Sequence, residues 1–188
     1  MKNPDTESDQ YKPNVDIEKI RTNTEQGLCD LFIDELKDIY WTEKALVQAL
    51  PNMIKHSGED ELVIALSGNF ETTKKHITRL EEVFSSIGKK AEAIRCEAMT
   101  GLIKEAEQII HRTKKGMVRD AGIISVGQKV EHYKIASYGT LLFFATKLGQ
   151  KDAALLLKKT LDEEKYADDK LSEIAELSIH FEIMDNVK

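Results

Sequence analysis

The sequence predicts an all-α protein, a four-helix bundle with an additional crossover helix. Three observations carry that expectation. Four long segments repeat apolar residues at alternating steps of three and four, the period of a helix packed in a bundle. Only three prolines and ten glycines occur in 188 residues, which leaves room for long helices. Short turn-forming stretches separate the segments in two places, and a longer irregular stretch separates them in a third.

Residues 1–25 are polar and aperiodic and read as a mobile tail. The first helix is expected from Gln26 to His56, with the stripe Phe32, Leu36, Ile39, Glu43, Leu46, Leu50, Met53. Ser57, Gly58 and Glu59 make a short turn, so the second helix, Asp60 to Ile87, packs antiparallel to the first. Its stripe is Leu62, Leu66, Asn69, Thr73, His76, Leu80, Val83, Ile87. Gly88 ends it, and Lys89 to Arg95 is irregular.

A shorter helix follows, Glu97 to Arg112, burying Met99, Leu102, Ile103, Ala106, Ile109 and Ile110. At about 1.5 Å per residue it crosses much of the bundle's length, which makes it a crossover rather than half of a hairpin. The third long helix, Val118 to Leu148, carries Ile124, Gln128, Glu131, Ile135, Tyr138, Leu142 and Ala145 on its stripe. A tight turn at Gly149 and Gln150 leads into the fourth, Asp152 to Leu177, with Ala153, Leu157, Thr160, Glu164, Ala167, Leu171 and Ile174. The bundle then spans residues 26–178, with 179–188 as a C-terminal tail. Two hairpins joined by one long crossover is the ferritin-like architecture.

Glu43, Glu131 and Glu164 each sit near the middle of an otherwise apolar stripe. An ionised carboxylate withdrawn from water loses several kcal/mol of solvation unless a cation, a metal or a set of donors replaces it. Three at one depth imply a shared site. His76 lies on the inner stripe of the second helix and is the imidazole able to join them, as a metal ligand or as a hydrogen-bonded bundle histidine. His132 points about 100° away from Glu131 and does not share that site. Asp168, one turn after Glu164, reads as part of a solvated face.

Composition excludes several classes. A net charge of -6 argues against a phosphate-binding surface, so neither nucleic acid nor an anionic membrane is an expected partner. No run of about 18 apolar residues exists to span a bilayer, and the N-terminal segment lacks the apolar core of a secretory signal. Cys29 and Cys96 are isolated in sequence, which fits a reduced cytoplasmic setting and packing roles. GxxxxGK[ST], GxGxxG, GxSxG and HExxH are all absent, so phosphate cradling, dinucleotide binding, serine hydrolysis and thermolysin-like zinc chemistry have no warrant.

The strings LKDIYWTEKALVQALPNM, HITRLEEVF, MTGLIKEAEQII, VEHYKIASYGTL and LLKKTLDEEK resemble the bacterial YciE/YciF family of ferritin-like proteins over about Leu28 to Leu177. The resemblance implies a ferritin-like fold with an extra helix, a homodimer, association with bacterial stress responses and, in some members, a dimetal site that makes iron or manganese the cofactors to consider. Glu43, Glu131 and Glu164 match positions where that family tends to be acidic. Two places depart from it: Asn69 and Thr72-Thr73 stand where relatives carry a histidine and a glutamate, and Lys134 stands where they commonly carry a second glutamate.

Those departures set the expectation for function. A pair of divalent ions brings about +4 of charge and is answered by acids and histidines from all four helices. Here Lys134, one turn from Glu131, is placed to occupy the space of a cation. The leading expectation is therefore a non-catalytic protein acting through assembly or partner contacts. In it, Lys134, His76, Thr72, Thr73, Gln128 and Tyr138 satisfy the carboxylates without metal. The alternative is a di-iron or di-manganese oxidase or peroxide scavenger with Glu43, Glu131, Glu164 and His76 as ligands.

Overall fold

The computed structural model describes the backbone of residues 17–185 and the side chains of residues 22–177. Five α-helices follow one another: α1 (Ile17–His56), α2 (Asp60–Ser86), α3 (Glu97–Arg112), α4 (Met117–Lys147) and α5 (Lys151–Asp185). Among the described residues there is no strand. Helices α1 and α2 form one antiparallel hairpin, α4 and α5 the other, and the contacts α2·α5 and α1·α4 close the four into a ring. Helix α3 lies outside that ring, packed on α4 and α1.

The four stripes face inward. Phe32, Leu36, Ile39, Glu43, Leu46, Leu50 and Met53 are all buried, as are Leu62, Leu66, Leu80 and Val83 on α2. The apolar residues fall into two clusters, one at each end of the bundle. One gathers Met53, Leu62, Ile123 and Leu171 with Met99 and Ile110 of α3. The other gathers Phe32, Phe84, Leu141 and Leu157. Between them lie the polar positions of every stripe, so the interior is two apolar plugs separated by a polar layer.

Glycine sets two of the turns. Gly88 and Gly149 take φ values of 68° and 70°, the left-handed region that glycine reaches without steric cost. Each closes its helix with paired bonds: Lys89 N to Phe84 O at 2.9 Å and Gly88 N to Ser85 O at 3.0 Å, then Gln150 N to Ala145 O at 2.9 Å and Gly149 N to Thr146 O at 3.2 Å.

The crossover is tied down along its course. Ile94 N bonds Lys37 O at 3.2 Å, and Lys37 pairs with Glu92 at 3.1 Å. Cys96 caps α3, its Sγ accepting from Met99 N at 3.3 Å. That sulfur also lies 3.1 Å from the Tyr133 hydroxyl, which donates to Asp38 at 2.6 Å and so links α3, α4 and α1. Cys96 is thus a packing and capping residue.

At the opposite end Asp120 of α4 accepts from Gly58 N at 2.8 Å and Glu59 N at 3.1 Å, holding the α1–α2 turn to α4. Asp120→Ala should cost about 1–2 kcal/mol, the loss typical of a helix cap, read as a lower urea midpoint. An unchanged midpoint would contradict this role.

Two boundaries differ from expectation. Helix α1 begins at Ile17 rather than Gln26, so residues 17–25 belong to a helix and not to a tail. Residues 22–25 are exposed and carry only polar side chains, so that part of the stretch offers no apolar stripe to read. Adding a residue to an existing helix costs far less than starting a new one, so a helix can continue past its packed part. Likewise α5 runs to Asp185, beyond Leu177 and into the segment expected as a C-terminal tail. Residues 1–16 and 186–188 lie outside the described backbone.

Candidate functional site

The polar layer brings the expected residues together. Glu43 of α1, His76 of α2, Glu131 and Lys134 of α4 and Glu164 of α5 are each at most 1% exposed. The Lys134 Nζ lies 2.7 Å from Glu164 Oε2 and 3.6 Å from both Glu43 Oε2 and Glu131 Oε2. One ammonium therefore serves three carboxyl groups from three helices. Its approach to Glu164 is at ion-pair distance but off the hydrogen-bond directions.

His76 is the second hub. Its Nδ1 faces Glu164 Oε1 at 2.8 Å and Glu43 Oε1 at 3.4 Å, while Nε2 meets Glu163 Oε2 at 2.9 Å. Burial works against its charge, but the adjoining Glu164 and Glu43 carboxyl groups prevail and push its pKa up to about 9. At neutral pH it is an imidazolium.

Two residues not foreseen from the sequence complete the layer on the α2–α5 side. Arg79 grips Glu163 with two bonds, Nη1 to Oε2 at 2.7 Å and Nη2 to Oε1 at 3.1 Å, and Nη1 also donates to Thr160 Oγ1 at 2.7 Å. The Glu163 carboxyl is held below the usual range by Arg79 and His76 in spite of partial burial. Tyr138 donates to Glu43 Oε1 at 2.7 Å, and Asn69 donates to Glu131 Oε1 at 2.5 Å.

The carboxyls differ in charge state. Burial drives Glu131 well above its ordinary value against the pull of Lys134, and the charge on Glu164 adds to the rise. Glu164 is also desolvated, yet Lys134 and His76 hold it well below the ordinary range. Glu131 is thus the carboxyl whose charge the surroundings favour least. Within the layer four carboxyl groups, Glu43, Glu131, Glu163 and Glu164, face three cationic side chains, Lys134, His76 and Arg79. A buried layer needs such pairing, because an uncompensated charge in such a place costs several kcal/mol.

Not every anticipated partner takes part. Thr72 donates to Gly68 O at 3.0 Å on its own helix, and Gln128 donates to Ser172 at 3.0 Å, so neither reaches the carboxylates. Thr73 bonds Asn69 at 3.4 Å and acts on Glu131 only through it. His132 is exposed and pairs with Asp168 at 3.0 Å, outside the layer.

Residues 27–183 match a family described as a domain of unknown function, DUF892. The chain belongs to that family. Protein YciF of Escherichia coli K12 is 45% identical over 147 residues, covering 78% of this chain and 89% of that protein. The crystal structure of the E. coli stress protein YciF superposes with a TM-score of 0.79 at 43% identity, over 81% of this chain and 97% of the other. YcfI of Rhodopseudomonas palustris gives 0.74 at 42% identity, over 77% and 92%. The DUF892 fold is accordingly the ferritin-like helical bundle expected from the four stripes.

A dimetal site fits this DUF892 chain's residues poorly. Three cations already occupy the layer, and two divalent ions would add about +4 with only Glu131 left to answer them. Both His76 nitrogens face carboxylates, Nδ1 toward Glu164 and Nε2 toward Glu163, so ligating a metal through either would break one of those contacts and release a proton. Glu43, His76 and Glu164 do present ligand atoms within 4.8 Å of one another, the spacing of a single ion. Glu131 is not in that group.

Proposed function

We propose that this chain is a cytoplasmic, stress-associated protein of the YciF type that works as a homodimer through protein contacts rather than turnover. In this reading its metal layer has been replaced by side-chain cations. The observation that carries it is the Lys134 ammonium, fully buried and within 2.7–3.6 Å of Glu164, Glu43 and Glu131. A non-titrating internal cation gives the acids of a ferritin-like interior a permanent counter-charge. No redox-active centre is then needed to keep the bundle closed. Among the described residues no helix is long and apolar enough to cross a membrane, which is compatible with the cytoplasmic assignment. Exposed Phe143 offers apolar surface of the kind a second chain would cover.

The test is elemental analysis of protein purified without chelator after iron or manganese supplementation. The proposal expects well under one equivalent of metal per chain; two equivalents would overturn it. The second reading, an oxidase or peroxide scavenger, draws on the ligand-like spacing of Glu43, His76 and Glu164. It requires metal-dependent consumption of oxygen or peroxide that disappears in Glu131→Ala.

A further inference from the structure

Helices α2 and α5 do not close on each other along their full contact. A groove of about 1010 Å³ runs between them, at the top of the roughly 300–1,000 Å³ range of small-molecule sites. Its cause is in the sequence: Ala65 and Gly68 of α2 and Ala167 of α5 line it with almost no side chain. Leu66, Leu171 and Ile174 form the apolar wall, and Ile64 and Leu177, 70% and 54% exposed, stand open at one end.

Charge distinguishes the two ends. Near the polar layer, Glu163 is held by Arg79 and His76, and Asp162 by Lys158. Lys75 and Lys159 line the same end, are exposed, and among the described residues make no ion pair. At the far end Glu61 and Glu173 carry the opposite sign, and Glu173 pairs with Lys170. Spare positive charge thus stands at one mouth of an apolar trench and acidic groups at the other. From Lys75 back to Glu61 the trench is roughly 20 Å long at about 1.5 Å per residue, the length of an extended long-chain acyl group.

We propose that this groove binds one long-chain fatty acid, its carboxylate between Lys75 and Lys159 and its chain running toward Ile64 and Leu177. The alkyl chain covers apolar surface otherwise left to water, and the lysines fix which end enters. Glu61 and Glu173 oppose the reversed orientation. The groove reaches the layer at its lysine end, where Asn69, His76, Glu163 and Glu164 also line it, but the charge reversal and the groove-filling substitutions fall on residues outside that layer and so test the inference separately from metal content.

The test is displacement of a fluorescent fatty-acid analogue from the delipidated full chain. Competitors are octanoate, decanoate, dodecanoate and palmitate below micellar concentration, with dodecyltrimethylammonium as control. The expected result is affinity rising about fourfold per methylene until the trench is full. Dodecanoate should be preferred over the cationic control. The double substitution Lys75→Glu and Lys159→Glu, at exposed positions, should lower dodecanoate affinity about tenfold or more and remove that preference. Ala65→Leu with Ala167→Leu, which fills the trench, should weaken every chain length.

Four outcomes would overturn the proposal. They are no displacement by palmitate up to its solubility limit, equal affinity for carboxylate and ammonium, charge reversal without effect, and a filled groove that alters self-association while leaving fatty-acid affinity unchanged. The charge-reversed chain decides the matter alone should the filled variant fail to fold.

Discussion

Lys134→Met is expected to cost about 3–5 kcal/mol of folding stability, the loss that follows removal of one partner from a buried ion pair. Methionine keeps nearly the length and bulk of the lysine stem, so packing changes little and the loss reports charge. With the ammonium gone, among the described residues Glu43 and Glu164 retain only His76 as a contacting cation and Glu131 retains none. Against a total of about 5–15 kcal/mol for a domain, that is a large fraction. Urea denaturation reads it directly. Removing the opposite charge as well, in Lys134→Met with Glu164→Gln, should cost less than the sum of the two single changes by at least about 1 kcal/mol. A loss within about 0.5 kcal/mol for Lys134→Met would contradict the ion-pair reading.

The second large effect is on pH. His76 has its pKa raised from 6.5 to about 9, so its stabilisation is fully present below pH 6.5 and is lost as pH rises through 9. The span of about 2.5 units corresponds to roughly 3 kcal/mol. Glu131, also raised, adds to the decline above its ordinary value of 4.5. Glu164, lowered, contributes stability that is present above 4.5 and disappears in acid. Maximal stability is therefore expected near pH 5–6, on the acid side of neutrality. Urea midpoints measured from pH 5 to 9.5 should fall on the alkaline limb, and His76→Gln should flatten the part between 6.5 and 9. A midpoint that stays level or rises from pH 6 to 9 in the unsubstituted chain would show that His76 is not a buried cation.

Much of this was legible in the sequence because burial in a bundle is periodic. Glu43, Glu131 and Glu164 were found as interruptions of three- and four-residue stripes, and all three are buried. Helix α4 was harder to read. It packs against α1, α5 and α3 at once, so Ile123, Val126, Val130 and Lys134 are buried alongside the single stripe through Ile124, Glu131 and Tyr138. Lys134 was recognisable by its nearness to Glu131, but its approach to two further acids, Glu43 and Glu164, depends on the register of α1 and α5.

Arg79 and Glu163 escaped for a related reason. Each is polar and stands outside the apolar stripe, like a solvated residue, and only the antiparallel meeting of α2 with α5 turns them toward each other and His76. The signal that could have found them is Arg79 three residues after His76 beside Glu163 one residue before Glu164, a complementary pair placed next to two known members of the layer. Thr72 and Gln128 erred in the other direction. Threonine within a helix can satisfy its hydroxyl on the carbonyl four residues back, and Thr72 does so with Gly68.

The central claim is that a side-chain cation does inside this bundle what a metal would otherwise do. Unfolding by urea, at one protein concentration and neutral pH, in EDTA and then in excess Mn(II) or Fe(II), tests it most directly. The account predicts the same midpoint in both, because no folded-state site binds the ion. A resident metal site would raise stability by about 2.7 kcal/mol at a hundredfold excess over its dissociation constant, and a shift of that size would contradict the account.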